Sequence, residues 1–341
     1  MNKAVVNKTV MNKLALLPLA LAAFLGSAAA ATTIKIATIA PDGTAWMREM
    51  RASADAVKKR TEDRVAIKFY PGGVMGDEPT VLRKIKIGQL QGGAFTGGEL
   101  SQVDKNAQIY SQPFLFKSQD EVDKVRAQID PQLKQSIQKA GFETLGISGG
   151  GFAYMMSVKD LRSKDDLKAA KVWVPQGDRI AEAAFKAADV SPIPLPLADV
   201  YTSLQTGLID TAANTSAGAI AFQWHTKIKH MIDLPLTYVV GILVIDKKVF
   251  DALSAEDQKA VNEEVGAAFS KLEKINRDDN TQARDALQKQ GIEFFKPNAT
   301  ETASWESVGN AARKQLVASG ELSADMAGAL DKSLAAARGG K

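Results

Sequence analysis

The 341-residue chain has no cysteine, which excludes disulfides, thiolate metal sites, cysteine nucleophiles and lipid attachment at a processed N-terminal cysteine. Histidine is almost as scarce. His225 and His230 are the only two, and a spacing of five does not set both on one helix face as a metal pair requires. There is no P-loop, and the glycines around Gly93 and Gly97 do not fall in the G-x-G-x-x-G order of a dinucleotide turn. Neither a metal nor a cofactor is expected. No basic stripe with interleaved aromatics occurs, since lysines and glutamates alternate along most helical stretches, so nucleic acid is not an expected partner.

Acidic side chains are also missing from the first 41 residues. Lys3, Lys8 and Lys13 precede an apolar run from Leu14 to Leu25, which ends at Gly26, Ser27 and a string of alanines. That layout predicts a secretory signal cleaved after Ala30 or Ala31. A retained anchor needs roughly 20 apolar residues, and the run has 12. Met11 offers an alternative start, with Lys13 alone as the charged region. Removing residues 1–31 takes away three lysines and no acid, which lowers the formal charge from +4 to +1. The remaining chain of about 310 residues exceeds what one core usually covers, so two lobes are expected.

Short β-like runs alternate with helical stretches, which implies parallel α/β layers. Strands are expected at Thr33–Ile39, Val65–Phe69, Gly93–Thr96, Phe142–Ser148, Phe152–Ser157 and Lys171–Val174, with helices at Trp46–Thr61, Pro79–Ile87 and Arg179–Ala187. Ser118 with Glu121 forms a capping box opening a helix towards Ala140. Gly149-Gly150-Gly151 reads as a bend or a lobe boundary. From Ser254 the pattern stays helical to Gln290, a length of roughly 54 Å that could brace both lobes, with Gly266 and the polar run Asn276–Asn280 as places for a kink or break.

Gly146-Ile147-Ser148-Gly149-Gly150 matches the G-x-S-x-G pattern of hydrolase elbows. The context fails, because Ser148 is followed by glycines and a strand instead of the helix that completes such an elbow.

Four stretches carry a family pattern: Ala37-Thr38-Ile39-Ala40-Pro41-Asp42-Gly43-Thr44-Ala45-Trp46, Tyr70-Pro71-Gly72-Gly73-Val74-Met75-Gly76-Asp77-Glu78, Pro192-Ile193-Pro194-Leu195-Pro196-Leu197-Ala198-Asp199-Val200-Tyr201, and Leu204-Gln205-Thr206-Gly207-Leu208-Ile209-Asp210. In order and spacing they resemble the solute-binding (DctP-type) component of TRAP transporters, the tripartite ATP-independent periplasmic importers. The resemblance implies an α/β, two-lobed periplasmic-binding-protein-like fold with a ligand cleft between the lobes and a long helix spanning both. It implies a monomeric, non-enzymatic carrier in the periplasm that closes on a small organic ligand and delivers it to small and large membrane subunits. A receptor-coupled sensor of the same shape is the alternative. The expected division is 32–151 plus about 243–275 for lobe I, and 152–242 plus about 276–341 for lobe II and the C-terminal helices.

One departure from the family pattern bears on the ligand. Most relatives hold a ligand carboxylate with an arginine on the strand that here reads Lys171-Val172-Trp173-Val174-Pro175, and Trp173 takes its place. A second arginine common in relatives is absent from Gly151-Phe152-Ala153-Tyr154. An indole supplies an apolar face and one N–H where a guanidinium supplies a bidentate charged fork. The ligand is therefore expected to be held by aromatic packing and neutral hydrogen bonds, and to be apolar, aromatic, zwitterionic or cationic. Trp173 reads otherwise as a core tryptophan. Asn214 occupies a family cleft position or stabilises a turn. Glu78 binds a ligand hydroxyl or ammonium, or faces a helix N-terminus. Trp46, Phe95, Tyr154, Gln176 and Tyr238 complete the candidates from their places near strand ends.

Overall fold

A computed structural model describes residues 31–339. Of the expected export signal, residues 1–31, residues 1–30 lie outside them. Several helices begin where capping side chains satisfy free N–H groups. Thr44 accepts from Met47 N to open Ala45–Arg60, Asp77 accepts from Thr80 N to open Glu78–Lys86, and Ser118 accepts from Glu121 N to open Gln119–Lys139.

Ten strands follow the chain: β1 (Thr32–Thr38), β2 (Val65–Tyr70), β3 (Gly92–Thr96), β4 (Phe142–Ser157), β5 (Trp173–Pro175), β6 (Ile193–Leu195), β7 (Thr211–Thr215), β8 (His230–Ile232), β9 (Thr237–Asp246) and β10 (Glu293–Phe295). β1 lies parallel between β2 and β3, with Ile36 opposite both Phe69 and Gly92, and β3 runs antiparallel to β9. These strands form the sheet of the first lobe. In the second lobe β4 pairs antiparallel with β7 and β8, β10 extends β8, and the parallel pair β5–β6 is tied to β7 by the bridge Val172–Thr211.

β4 and β9 belong to both lobes, paired from Phe142 opposite Asp246 to Ala153 opposite Thr237. The glycine triplet does not end a strand as expected. It forms a bulge within β4, where the register against β9 shifts between Gly149 and Gly151, and Gly151 takes φ +108°. The physical reason is crowding at the lobe junction. A β-carbon at Gly149 would lie 2.1 Å from the Tyr238 hydroxyl, and one at Gly151 would lie 2.6 Å from the Asn280 amide nitrogen.

The long helix, Ala255–Lys289, is unbroken at both Gly266 and Asn276–Asn280. It places Val265 and Phe269 in the first lobe's core with Ile36 and Leu243, and Leu287 in the second lobe's core with Trp173 and Trp224. Between them its polar face grips the bulge. Glu273 accepts from Gly149 N at 2.9 Å, Asn276 donates to Gly149 O at 2.8 Å, and Asn280 donates to Gly150 O at 2.7 Å. The sequence division groups residues 276–341 with lobe II. The last helix, Ala324–Ala337, instead packs on helix Gln119–Lys139 of the first lobe, because Leu330 and Leu334 share a core with Val125 and Leu133.

Candidate ligand cavity

Between the lobes lies a cavity of about 150 Å³. The first lobe contributes the turn Thr96–Glu99 at the end of β3 and the loop around Phe114, and the second contributes β5, the start of helix Arg179–Ala187, and Trp305 from helix Ala299–Ala318. Thr96 caps a short helix: it accepts from Glu99 N while Glu99 Oε2 accepts from Thr96 N at 2.7 Å, which holds this wall in place. Glycine is required beside it, since a β-carbon at Gly98 would sit 2.8 Å from Asp178 Oδ2 of the other lobe.

Asp178 caps helix Arg179–Ala187 by accepting from Ala181 N at 2.9 Å. Burial pushes its carboxyl up to about 6, against the N–H groups of Ala181 and Ile180 that favour the charge. It forms no ion pair among the described residues. Glu99 also lines the cavity. Burial first, then the charge of Glu78 and a hydrogen bond to it, raise Glu99 well above the usual carboxylate range. Among the described residues no arginine, lysine or histidine lines the cavity. Most of its wall is apolar, with Phe114 and Trp305 stacked at a tilt 6.2 Å apart.

A second, more open groove of about 690 Å³ runs beside the long helix and shares Thr96, Val239 and Val240 with the cavity. Trp46 and Arg48 line it.

Of the sequence-derived candidates, Trp173 and Asn214 meet at the cavity. Trp173 is also a core residue, edge-on to Trp224 at 5.4 Å, and its indole N–H already donates to Leu195 O at 2.9 Å. It therefore offers a ligand its ring and no free donor. Asn214 Oδ1 accepts from Thr215 N at 2.8 Å, so the local backbone bond and the cavity position coexist. Trp46 faces the second groove.

The other five lie elsewhere. Glu78 and Phe95 border a small void behind β3. Tyr154 lies under the Arg284 guanidinium, 5.3 Å from ring centroid to charge, and Gln176 is exposed on the surface. Tyr238 is buried against Phe152 and Phe116. Phe95, Tyr154 and Tyr238 lie on strands, where alternation along the pleat turns them from the cavity, whereas Glu78 opens helix Glu78–Lys86 and Gln176 follows the end of β5. Sequence reasoning missed Asp178, Glu99, Phe114 and Trp305. The T-x-x-E box at Thr96 and the aspartate before Arg179 are readable capping signals. Nothing local marks Phe114, held at φ +56°, or Trp305, brought in from a distant helix.

Ser148 sits within β4 opposite Gly241, with no turn or following helix to expose it as a nucleophile.

The model of the bacterial extracellular solute-binding proteins, family 7, matches residues 36–319. The chain belongs to that family. Its members are solute-binding receptors, and the fold is that of the TRAP-type proteins among them. The 2,3-diketo-L-gulonate-binding periplasmic protein YiaO of Escherichia coli is 24% identical over 319 residues, covering 92% of this chain and 95% of that one. A TRAP periplasmic solute-binding protein of Xanthobacter autotrophicus, solved with bound β-D-galacturonate, superposes with a TM-score of 0.82 at 21% identity, covering 89% and 99%. The sugar acid binding protein DctPAm of Advenella mimigardefordensis, in complex with galactonate, gives 0.83 at 18% identity, covering 90% and 99%. Among the described residues no helix is long and apolar enough to cross a membrane.

Proposed function

We propose that this receptor works in the periplasm after removal of residues 1–30 or 1–31, closes on one small organic molecule in the interlobe cavity, and presents the closed form to the small and large membrane subunits of a TRAP importer. The observation that carries the reading is the cavity itself, walled from both lobes around two shared strands. Contacts made from both walls favour closure, so binding energy shifts an open–closed equilibrium.

We further propose that the ligand is not held by an arginine–carboxylate clamp. Supporting this, Trp173 lies on the cavity wall at the position where the family resemblance implies an arginine, and among the described residues the wall carries carboxylates and no basic side chain. The relatives named above carry sugar acids in their names or crystals; a sugar acid entering here would meet carboxylates in a poorly solvated space.

Vesicles bearing both membrane subunits test the transport claim. Uptake of the molecule recovered by mass spectrometry from freshly purified receptor should require both this chain and an ion gradient, and should proceed without ATP. Uptake independent of the receptor overturns the proposal. A thermal-shift panel tests the clamp claim, because a ligand at about 100 times its Kd adds about 2.7 kcal/mol of stability. Strong stabilisation by galacturonate or succinate would contradict it.

A further inference from the structure

The geometry points to a small organic cation, a primary amine or quaternary ammonium with apolar substituents, as the ligand class of the interlobe cavity, with Asp178 as its counter-ion and Trp305 and Phe114 as its aromatic wall. The inference rests on the solute-binding reading above and narrows it.

Three observations converge. The first is charge. Asp178 borders the cavity, and among the described residues its oxygens receive only backbone N–H groups and no cationic side chain lies on the lining to neutralise it. A carboxylate in such a place is costly until a positive group joins it. An ammonium entering the cavity supplies that group, whereas a second carboxylate adds repulsion. Glu99 does not compete for the same role, because its Oε2 is tied to Thr96 N at 2.7 Å within the capping box.

The second observation is the wall. Phe114, Trp173, Phe185 and Trp305 all line the cavity. Ring faces attract cations, most strongly where water is excluded. Thr237 adds a buried hydroxyl at the wall that has no partner among the described residues and can accept a bond from an ammonium N–H.

The third is size. A cavity of about 150 Å³ matches the volume in which an engineered apolar cavity takes one benzene ring. A ligand of choline or benzylamine dimensions suits it.

The lobes also meet at the charge. Asp178 reaches Gly98 across the cleft so closely that a β-carbon there would lie 2.8 Å from its Oδ2. An ammonium bound to Asp178 therefore sits where the two walls come together, and its binding favours the closed form.

The experiment is isothermal titration of the mature receptor, unfolded and refolded to strip any carried ligand. Choline and benzylamine are the cationic probes, 3,3-dimethyl-1-butanol is the neutral isostere of choline, and galacturonate and succinate are the acids. The expected result is that at least one cation binds, with choline at least tenfold tighter than its isostere. Asp178→Asn should abolish that preference while keeping the fold, since asparagine caps a helix as well as aspartate does. Trp305→Leu should weaken the cations several-fold more than the isostere. Binding of acids alone, or equal binding of choline and its isostere, overturns the cation assignment and leaves the solute-binding reading standing. Silence from every probe, with no small molecule released from freshly purified protein, overturns both.

Discussion

The hinge and the cavity lie a few residues apart along the same strands, yet they treat polar groups in opposite ways. At the hinge every charge has a partner. Arg126, buried in helix Gln119–Lys139, donates to Asp130, to Glu273 at 2.5 Å and to Ile147 O, while Glu273, Asn276 and Asn280 bind the backbone of Gly149 and Gly150. In the cavity Asp178 has backbone donors and no counter-charge. A satisfied network holds one arrangement and rigidifies it. A carboxylate without a counter-charge retains binding energy for a partner that arrives later. A receptor that closes on demand needs both.

The largest expected effect breaks the hinge. Arg126→Ala leaves Glu273 and Asp130 facing one another without their shared cation, and should cost about 4 kcal/mol, in the range for stripping one partner from a buried ion pair; urea unfolding measures it. A loss under 1 kcal/mol would show that the network contributes little.

The second prediction concerns the cavity and pH. Asp178 rises from the usual 3.8 to about 6 in the folded chain. Below pH 4 it is protonated in both folded and unfolded states. As pH climbs from 4 to 6 the unfolded chain releases this proton first, so the ligand-free fold loses stability across that window, up to about 3 kcal/mol. The charged group that acts on it is Glu182 on its own helix, and Glu99 of the facing turn lines the same cavity. Carboxylates with lowered values, such as Asp257 beside Arg64, slope the other way. The reading is therefore the difference between wild type and Asp178→Asn, which should grow in the variant's favour from pH 4 to 6. A difference flat with pH would contradict it.

The smallest effect tests how tightly the bulge is filled. Gly149→Ala drives a β-carbon into the Tyr238 hydroxyl and should cost about 2 kcal/mol by overpacking. Adding Tyr238→Phe should recover part of that loss in a double-mutant cycle, because the nearest clashing atom is gone. Strict additivity would place the strain elsewhere.

The periodic elements were legible in the sequence because local physics decides them. Helix Arg179–Ala187 has its expected limits, and Ser254 begins the long helix. The glycine triplet was visible, but its role was not. A break and a bulge look alike until the partner strand is known, and only pairing with β9 shows that β4 continues. The polar run Asn276–Asn280 carried the same ambiguity. As a local signal it suggests a kink, and in the fold it is the face that binds the hinge.

For the site, Trp173 was readable as a candidate, and the residue does line the cavity. Its indole N–H was read as available to a ligand, and Leu195 O, 22 residues further on, takes it. Five of the eight candidates, Glu78 at a helix start and Phe95, Tyr154, Gln176 and Tyr238 near strand ends, faced other surroundings.

By itself the sequence determined that this chain has no disulfide, no thiolate chemistry, alternating α/β layers, one very long helix, and a tryptophan on the strand that follows Lys171. Each of these depends on residue type or on spacing within one segment. The tertiary structure alone decided that Asp178 meets Gly98 across a cleft, that Phe114 and Trp305 form one wall, and that the last helix returns to the first lobe. Those contacts join residues far apart in the chain. Their geometry is set by how whole layers pack, which no local pattern encodes.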